Sequence, residues 1–102
     1  MVAGVVTLSI ISSACGDSIA SAPTPDGATL ATEKGCVACH GTDGKATSPA
    51  FPNLSNQWSR YLNQQLRAYR SGKRDNAIMN AQAVGLTDDE IRVLSDHYGT
   101  RP

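Results

Sequence analysis

Large aromatic side chains are scarce in this 102-residue chain: one Trp, one Phe and three Tyr, 5% in all. A domain of roughly 80 residues with so few of them has difficulty building a core alone, and such chains often need a staple. A charge bias is missing as well. Nine basic and nine acidic residues cancel, so nothing marks a strongly charged partner, and nucleic acid is not expected. The apolar run at residues 2–11 falls well short of the about 20 residues that span a bilayer. No internal repeat and no second domain can be made out, so the length allows one small domain. Cysteine and histidine are few, three and two, and their placement carries the chemistry.

Residues 2–11 fit the apolar stretch of a secretory leader, although residues 1–4 lack the usual Lys or Arg. Either translation starts upstream or the signal is atypical. Ser12-Ser13-Ala14-Cys15 then resembles a bacterial lipoprotein processing site, with Ser12 where Leu is usual. Lipidation of Cys15 is therefore expected, and two acyl chains can moor a protein at a membrane. The alternative is ordinary cleavage after Ala20 or Ala22, which discards Cys15. Residues 18–26 are small, polar and twice interrupted by Pro, which reads as a flexible tether. The expected organisation is a leader over residues 1–22 and a domain over 23–102, its core at about 26–100.

Cys36-Val37-Ala38-Cys39-His40 has the spacing of a c-type haem attachment site. On one helical turn two thiols three positions apart reach one edge of the macrocycle and add to its two vinyl groups. The following His can bind the iron through a ring nitrogen. A dithiol redox site and half of a zinc site are the alternatives. Zinc wants further Cys or His at ligand spacing, and only Cys15 and His97 remain. A covalently held haem would also supply the missing apolar mass of the core.

The rest of the chain reads as helices and long loops. Asp26 can cap a short helix over residues 27–34, with Leu30 and Ala31 facing inward. Ser59 can cap a helix over 60–70, whose Leu62, Leu66 and Tyr69 share a face and which Gly72 ends. Residues 75–85 show no clear period. Thr87 and Glu90 form a capping box, and Ile91, Leu94 and Tyr98 make one stripe up to Gly99. The class is all-α, with loops long for its size unless a cofactor fills the centre.

These residues resemble a family. Cys36 through Gly44, then Phe51-Pro52-Asn53-Leu54, then Tyr61 through Leu66 with Tyr69, Gly72 and Arg74, then Met79, then Leu86 through Ile91 with Tyr98 are similar to class I cytochromes c. Among these, they resemble halves of cytochrome c4 and cytochrome c-553. The resemblance implies a small class I cytochrome c fold, three to five helices around one covalently bound haem c, with the first and last helices crossed. By that analogy Leu30 meets Leu94 and Tyr98. It implies Cys36 and Cys39 as thioether anchors and His40 and Met79 as axial iron ligands. A core methionine is the plainer reading of Met79, but no other internal Met competes. His97 is the rival ligand and reads better as a surface residue.

The resemblance further implies that the Pro52 carbonyl fixes the His40 ring. Trp58, Arg60 and Tyr61, and more weakly Asn53 and Gln57, become candidates to contact the haem propionates. Arg67, Arg70, Lys73 and Arg74 form a basic run that is either a solvated face or a docking or propionate-facing patch. The implied activity is electron carriage between redox proteins outside the cytoplasmic membrane. The alternatives are a cytochrome subunit or module of a dehydrogenase or oxidase, and a catalytic haem protein with an open iron.

Overall fold

In a computed structural model the chain is described at residues 3–5 and 23–100; Cys15 and most of the leader lie outside the described residues. Five α-helices follow: α1 (Gly27–Glu33), α2 (Val37–His40), α3 (Ser59–Ser71), α4 (Ala77–Ala83) and α5 (Asp88–Tyr98). The described residues contain no β-strand, only an isolated bridge between Trp58 and Thr100. Among them, no helix is long and apolar enough to cross a membrane.

α1 and α5 run antiparallel across each other. Asp26 starts α1 by accepting a hydrogen bond from the Thr29 N–H, and Thr87 and Glu90 start α5 with the full capping box. Leu30 and Ala31 of α1 are buried with Ile91, Leu94 and Tyr98 of α5 in one cluster, as their spacing predicts. At one end Gly27 lies so close to His97 that a Cβ there would run into the imidazole. At the other end Lys34 pairs with Glu90 at 3.2 Å.

α3 is antiparallel to α5 and joined to it at both ends. Its start is held differently from the sequence expectation. Trp58, not Ser59, occupies the cap position and makes no side-chain cap bond. The Ser59 N–H instead donates to the Thr100 carbonyl at 2.9 Å, and the Thr100 N–H donates to Gln57 at 2.7 Å. A strand of chain arriving after α5 thus takes up a donor that a local side chain usually satisfies. At the other end, Arg67 and Arg70 reach Asp88, the first residue of α5, at 3.2 and 2.7 Å. Arg70 also donates to the Leu86 carbonyl at 3.1 Å. An acidic residue in the first turn suits the helix dipole.

α4 was not foreseeable from periodicity, because residues 75–85 have none. Two asparagines build it. Asn76 caps it by accepting from the Met79 N–H at 3.0 Å. The Asn80 amide donates to the Tyr69 and Arg74 carbonyls at 2.8 and 2.9 Å, which fastens α4 to the end of α3. Among the helices, α4 packs on α3 alone.

The core is as poor as the composition implies. The buried hydrophobics are Leu30, Ala31, Leu62, Ala83, Leu86, Ile91, Leu94 and Tyr98, with neither Phe51 nor Trp58 among them. Trp58 is 62% exposed, so the largest side chain in the protein contributes little to its interior.

Candidate functional site: the cleft beside α2

The motif residues sit on a single helical turn. Cys36 closes directly onto α1, its N–H donating to the Ala31 carbonyl at 2.9 Å, and α2 follows at once. Its last carbonyls are clamped by Thr47, whose N–H reaches Cys39 at 3.1 Å and whose hydroxyl reaches Ala38 at 2.9 Å. The chain then turns at Gly44, whose φ of 82° suits glycine and whose carbonyl accepts from Leu54 and Ser55. This turn returns Pro52 toward α2.

His40 is buried, and its Nδ1 lies 3.0 Å from the Pro52 carbonyl. A carbonyl can only accept, so the ring proton sits on Nδ1 and the Nε2 lone pair is left free for a metal. Tyr98 supports the next residue. Its hydroxyl donates to the Gly41 carbonyl at 3.0 Å, and burial pushes the phenol up to about 12, so it keeps its proton. His97 is half-buried, not the surface residue its sequence position implies. Its Nε2 lies 3.1 Å from the Thr42 carbonyl. The end of α5 therefore braces the segment that leaves the motif.

Cys36, His40 and Met79 line an open cleft with a cavity volume of about 90 Å³. Its remaining walls are mostly apolar, with Leu54, Leu62, Leu66 and Leu86 among them. The same three residues, with Gln82, also line an adjoining cleft of about 160 Å³ toward Cys39, Phe51, Pro52 and Ile78. That second face has no charged residue. The fold thus brings Met79, thirty-nine positions after His40 by number, to the space the motif borders.

These residues fit haem c. Two thiols share one side of a turn, a buried imidazole has its proton turned away, and a thioether lines the same apolar cleft. The alternatives fit less well. Both thiols are free, and burial pushes the Cys36 thiol up, whereas reactive dithiols are activated by a lowered value. No group of three or more His, Cys, Asp or Glu placed to hold a metal ion occurs among the described residues.

Other expected site residues lie elsewhere. Neither cleft is lined by Trp58, Arg60 or Tyr61. Trp58 and Arg60 border a separate groove with Asn63 and Asp96, and Tyr61 is 45% exposed. Asn53 is a strut within its loop, accepting from the Ala46 N–H at 2.7 Å. The basic run is largely a solvated face, with Arg67, Lys73 and Arg74 exposed, and most of its arginines have partners. Arg67 and Arg70 are spent on Asp88, and Arg74 donates to Gln65 at 2.6 Å beneath a 4.9 Å stack on Tyr69. Sequence reading missed Ser95 of α5, which lines the cleft; its place four positions after Ile91, on the buried face, was the available signal.

Comparison with known proteins points the same way. A family model described as Cytochrome c matches residues 25–97. Cytochrome c-554(548) of Halomonas halodenitrificans is 42% identical over 69 residues, covering 65% of this chain and 83% of that protein. The thiosulfate dehydrogenase electron acceptor of Stutzerimonas stutzeri is 38% identical over 66 residues, covering 62% of this chain but only 31% of that protein. A solved cytochrome c4 structure from Acidithiobacillus ferrooxidans superposes with a TM-score of 0.61 at 30% identity, over 76% of this chain and 52% of that one.

Proposed function

The chain belongs to the cytochrome c family, and we propose that it carries electrons with one haem c, anchored by Cys36 and Cys39 and ligated by His40 and Met79. The family transfers electrons, and membership implies a covalently bound haem. Haem c, when bound, supplies a one-electron couple between Fe(II) and Fe(III). The chain's residues do the rest. Cys36 and Cys39 fix the group to α2. The Pro52 carbonyl and Tyr98 hold His40 and its neighbour in place. A neutral Met79 thioether favours Fe(II) and raises the potential. The leucines of α3 and the loop keep water out.

The observation that carries this reading is the convergence of His40 and Met79, on separate helices, in one apolar cleft with Cys36. With both His40 and Met79 holding it, the iron would offer no position for substrate, and the site would pass electrons without chemistry on a bound molecule. The test is ligand challenge of the holoprotein. Carbon monoxide on the reduced form and cyanide on the oxidised form should bind poorly. Ready binding of both would mean an open iron and a catalytic haem protein.

Redox proteins are the partners, approaching the Cys39–Phe51–Ile78 face. Residues 35–42, 46–59 and 76–87 contain no Asp, Glu, Lys or Arg, so association there is governed by apolar contact and depends weakly on salt. A second reading is an electron-accepting subunit of a dehydrogenase, supported by the similarity to the Stutzerimonas protein. Stoichiometric co-purification with a larger redox enzyme would favour it. We place the protein outside the cytoplasmic membrane, moored through Cys15. An N-terminus beyond residue 15 without lipid mass would remove the mooring.

A further inference from the structure

Ser95 is 1% exposed, and its hydroxyl has no hydrogen-bond partner among the described residues. A helical serine ordinarily returns its proton to the carbonyl four residues back, and this one does not. Leaving such a group unsatisfied costs about 1–3 kcal/mol, and a buried orphan calls for an explanation in a ligand, a water or function. Its surroundings supply one. Ser95 lines the same cleft as Cys36, His40 and Met79, on the buried face of α5 between Leu94 and Tyr98. An alanine there would pack equally well against leucines and carry no penalty.

We propose that the Ser95 hydroxyl is a positioning dipole that lowers the reduction potential of the group held in this cleft. The inference rests on the haem reading given above. Oxidation adds one positive charge to the iron centre. A hydroxyl tied to no protein partner can turn its oxygen toward that charge, and in an apolar wall little else competes with it. A dipole that can reorient stabilises the more charged state more than the less charged one. Ser95 therefore favours Fe(III), opposite in sign to Met79, and the two together set the potential.

Ser95→Ala holoprotein tests this by equilibrium redox titration and by unfolding in each redox state. The potential should rise, with the equilibrium moving about threefold toward Fe(II), about 28 mV at 59 mV per tenfold for one electron. The oxidised form should lose stability relative to the reduced form by the matching ratio. Ser95→Thr, which keeps the hydroxyl, should return the potential toward that of the parent. An unchanged Ser95→Ala potential, with equal stability changes in both states, would overturn the proposal and leave Ser95 as packing only, and a lowered potential would overturn it by its sign. If the parent protein itself shows no covalent haem and no reversible one-electron wave, it is the haem reading that has failed.

Discussion

α5 and α4 are held in place by different means. α5 begins with a full capping box, buries Ile91, Leu94 and Tyr98, and touches both α1 and α3. α4 has seven residues, packs on α3 alone, and leaves Ile78 58% exposed. Protein packing is the main hold on the first region. The second is fastened by two asparagines and faces the cleft, so what fills the cleft completes it. Met79, which would help hold the iron, is thus carried on the less self-sufficient helix. The residues that brace the histidine side, Tyr98 and His97, belong to the more secure one.

The largest effect should come from removing the anchors. With Cys36→Ser and Cys39→Ser together, covalent haem is lost and the poor core is left alone. Most of the far-ultraviolet helical signal should disappear; full helicity without haem would show that α4 needs no cofactor. Met79→Ala comes next. It should lower the potential by a sizeable part of the roughly 0.8 V range that axial ligands span, and let carbon monoxide bind, while α1 and α5 stay protected in hydrogen exchange. Gly27→Val strikes the other region. Its side chain would collide with His97, costing about 1–3 kcal/mol of stability with the potential nearly unchanged. A shift like that of Met79→Ala would erase the distinction between the two regions.

Asn76→Ala removes the α4 cap at a cost of about 1 kcal/mol. The loss should appear first as weakened methionine ligation and only later as global unfolding. Acid should have the smallest effect near neutrality. The Thr87 N–H holds Glu90 below its usual 4.5, an Arg70 hydrogen bond holds Asp88 below 3.8, and the Thr29 N–H holds Asp26 below 3.8. With folded values depressed, the unfolded chain takes up protons first as pH falls. This stabilisation is therefore full above the ordinary carboxylate range and is lost through and below it. These groups belong to α1 and α5, whereas α4 and residues 46–59 contain no carboxylate. Amides of α1 and α5 should lose protection with acid before those of α4 do.

Legibility in the sequence followed the range of the interactions involved. The Asp26 cap, the Thr87–Glu90 box, the leucine stripes and the five-residue motif act within one or two turns, and each could be read directly. The start of α3 could not, because its partner Thr100 lies 41 positions from Ser59. The Arg67 and Arg70 side chains look like part of a patch until Asp88, 21 positions after Arg67, arrives to pair with both. His97 reads as surface because Gly27 and Thr42 are distant in the chain. α4 lacks an apolar stripe because one of its sides meets the cleft instead of protein. Its Asn76 was the readable sign, and periodicity alone overlooks such a cap.

One measurement bears most directly on the central claim of a covalent, His40- and Met79-ligated haem: the visible spectrum of the holoprotein, followed by pyridine haemochrome analysis after denaturation. The oxidised protein should show the weak long-wavelength methionine-to-iron band. The denatured chain should retain one haem c, giving a c-type haemochrome. Protein made with a working haem-attachment system that yields no c-type haemochrome, or that lacks the methionine band, would contradict the account.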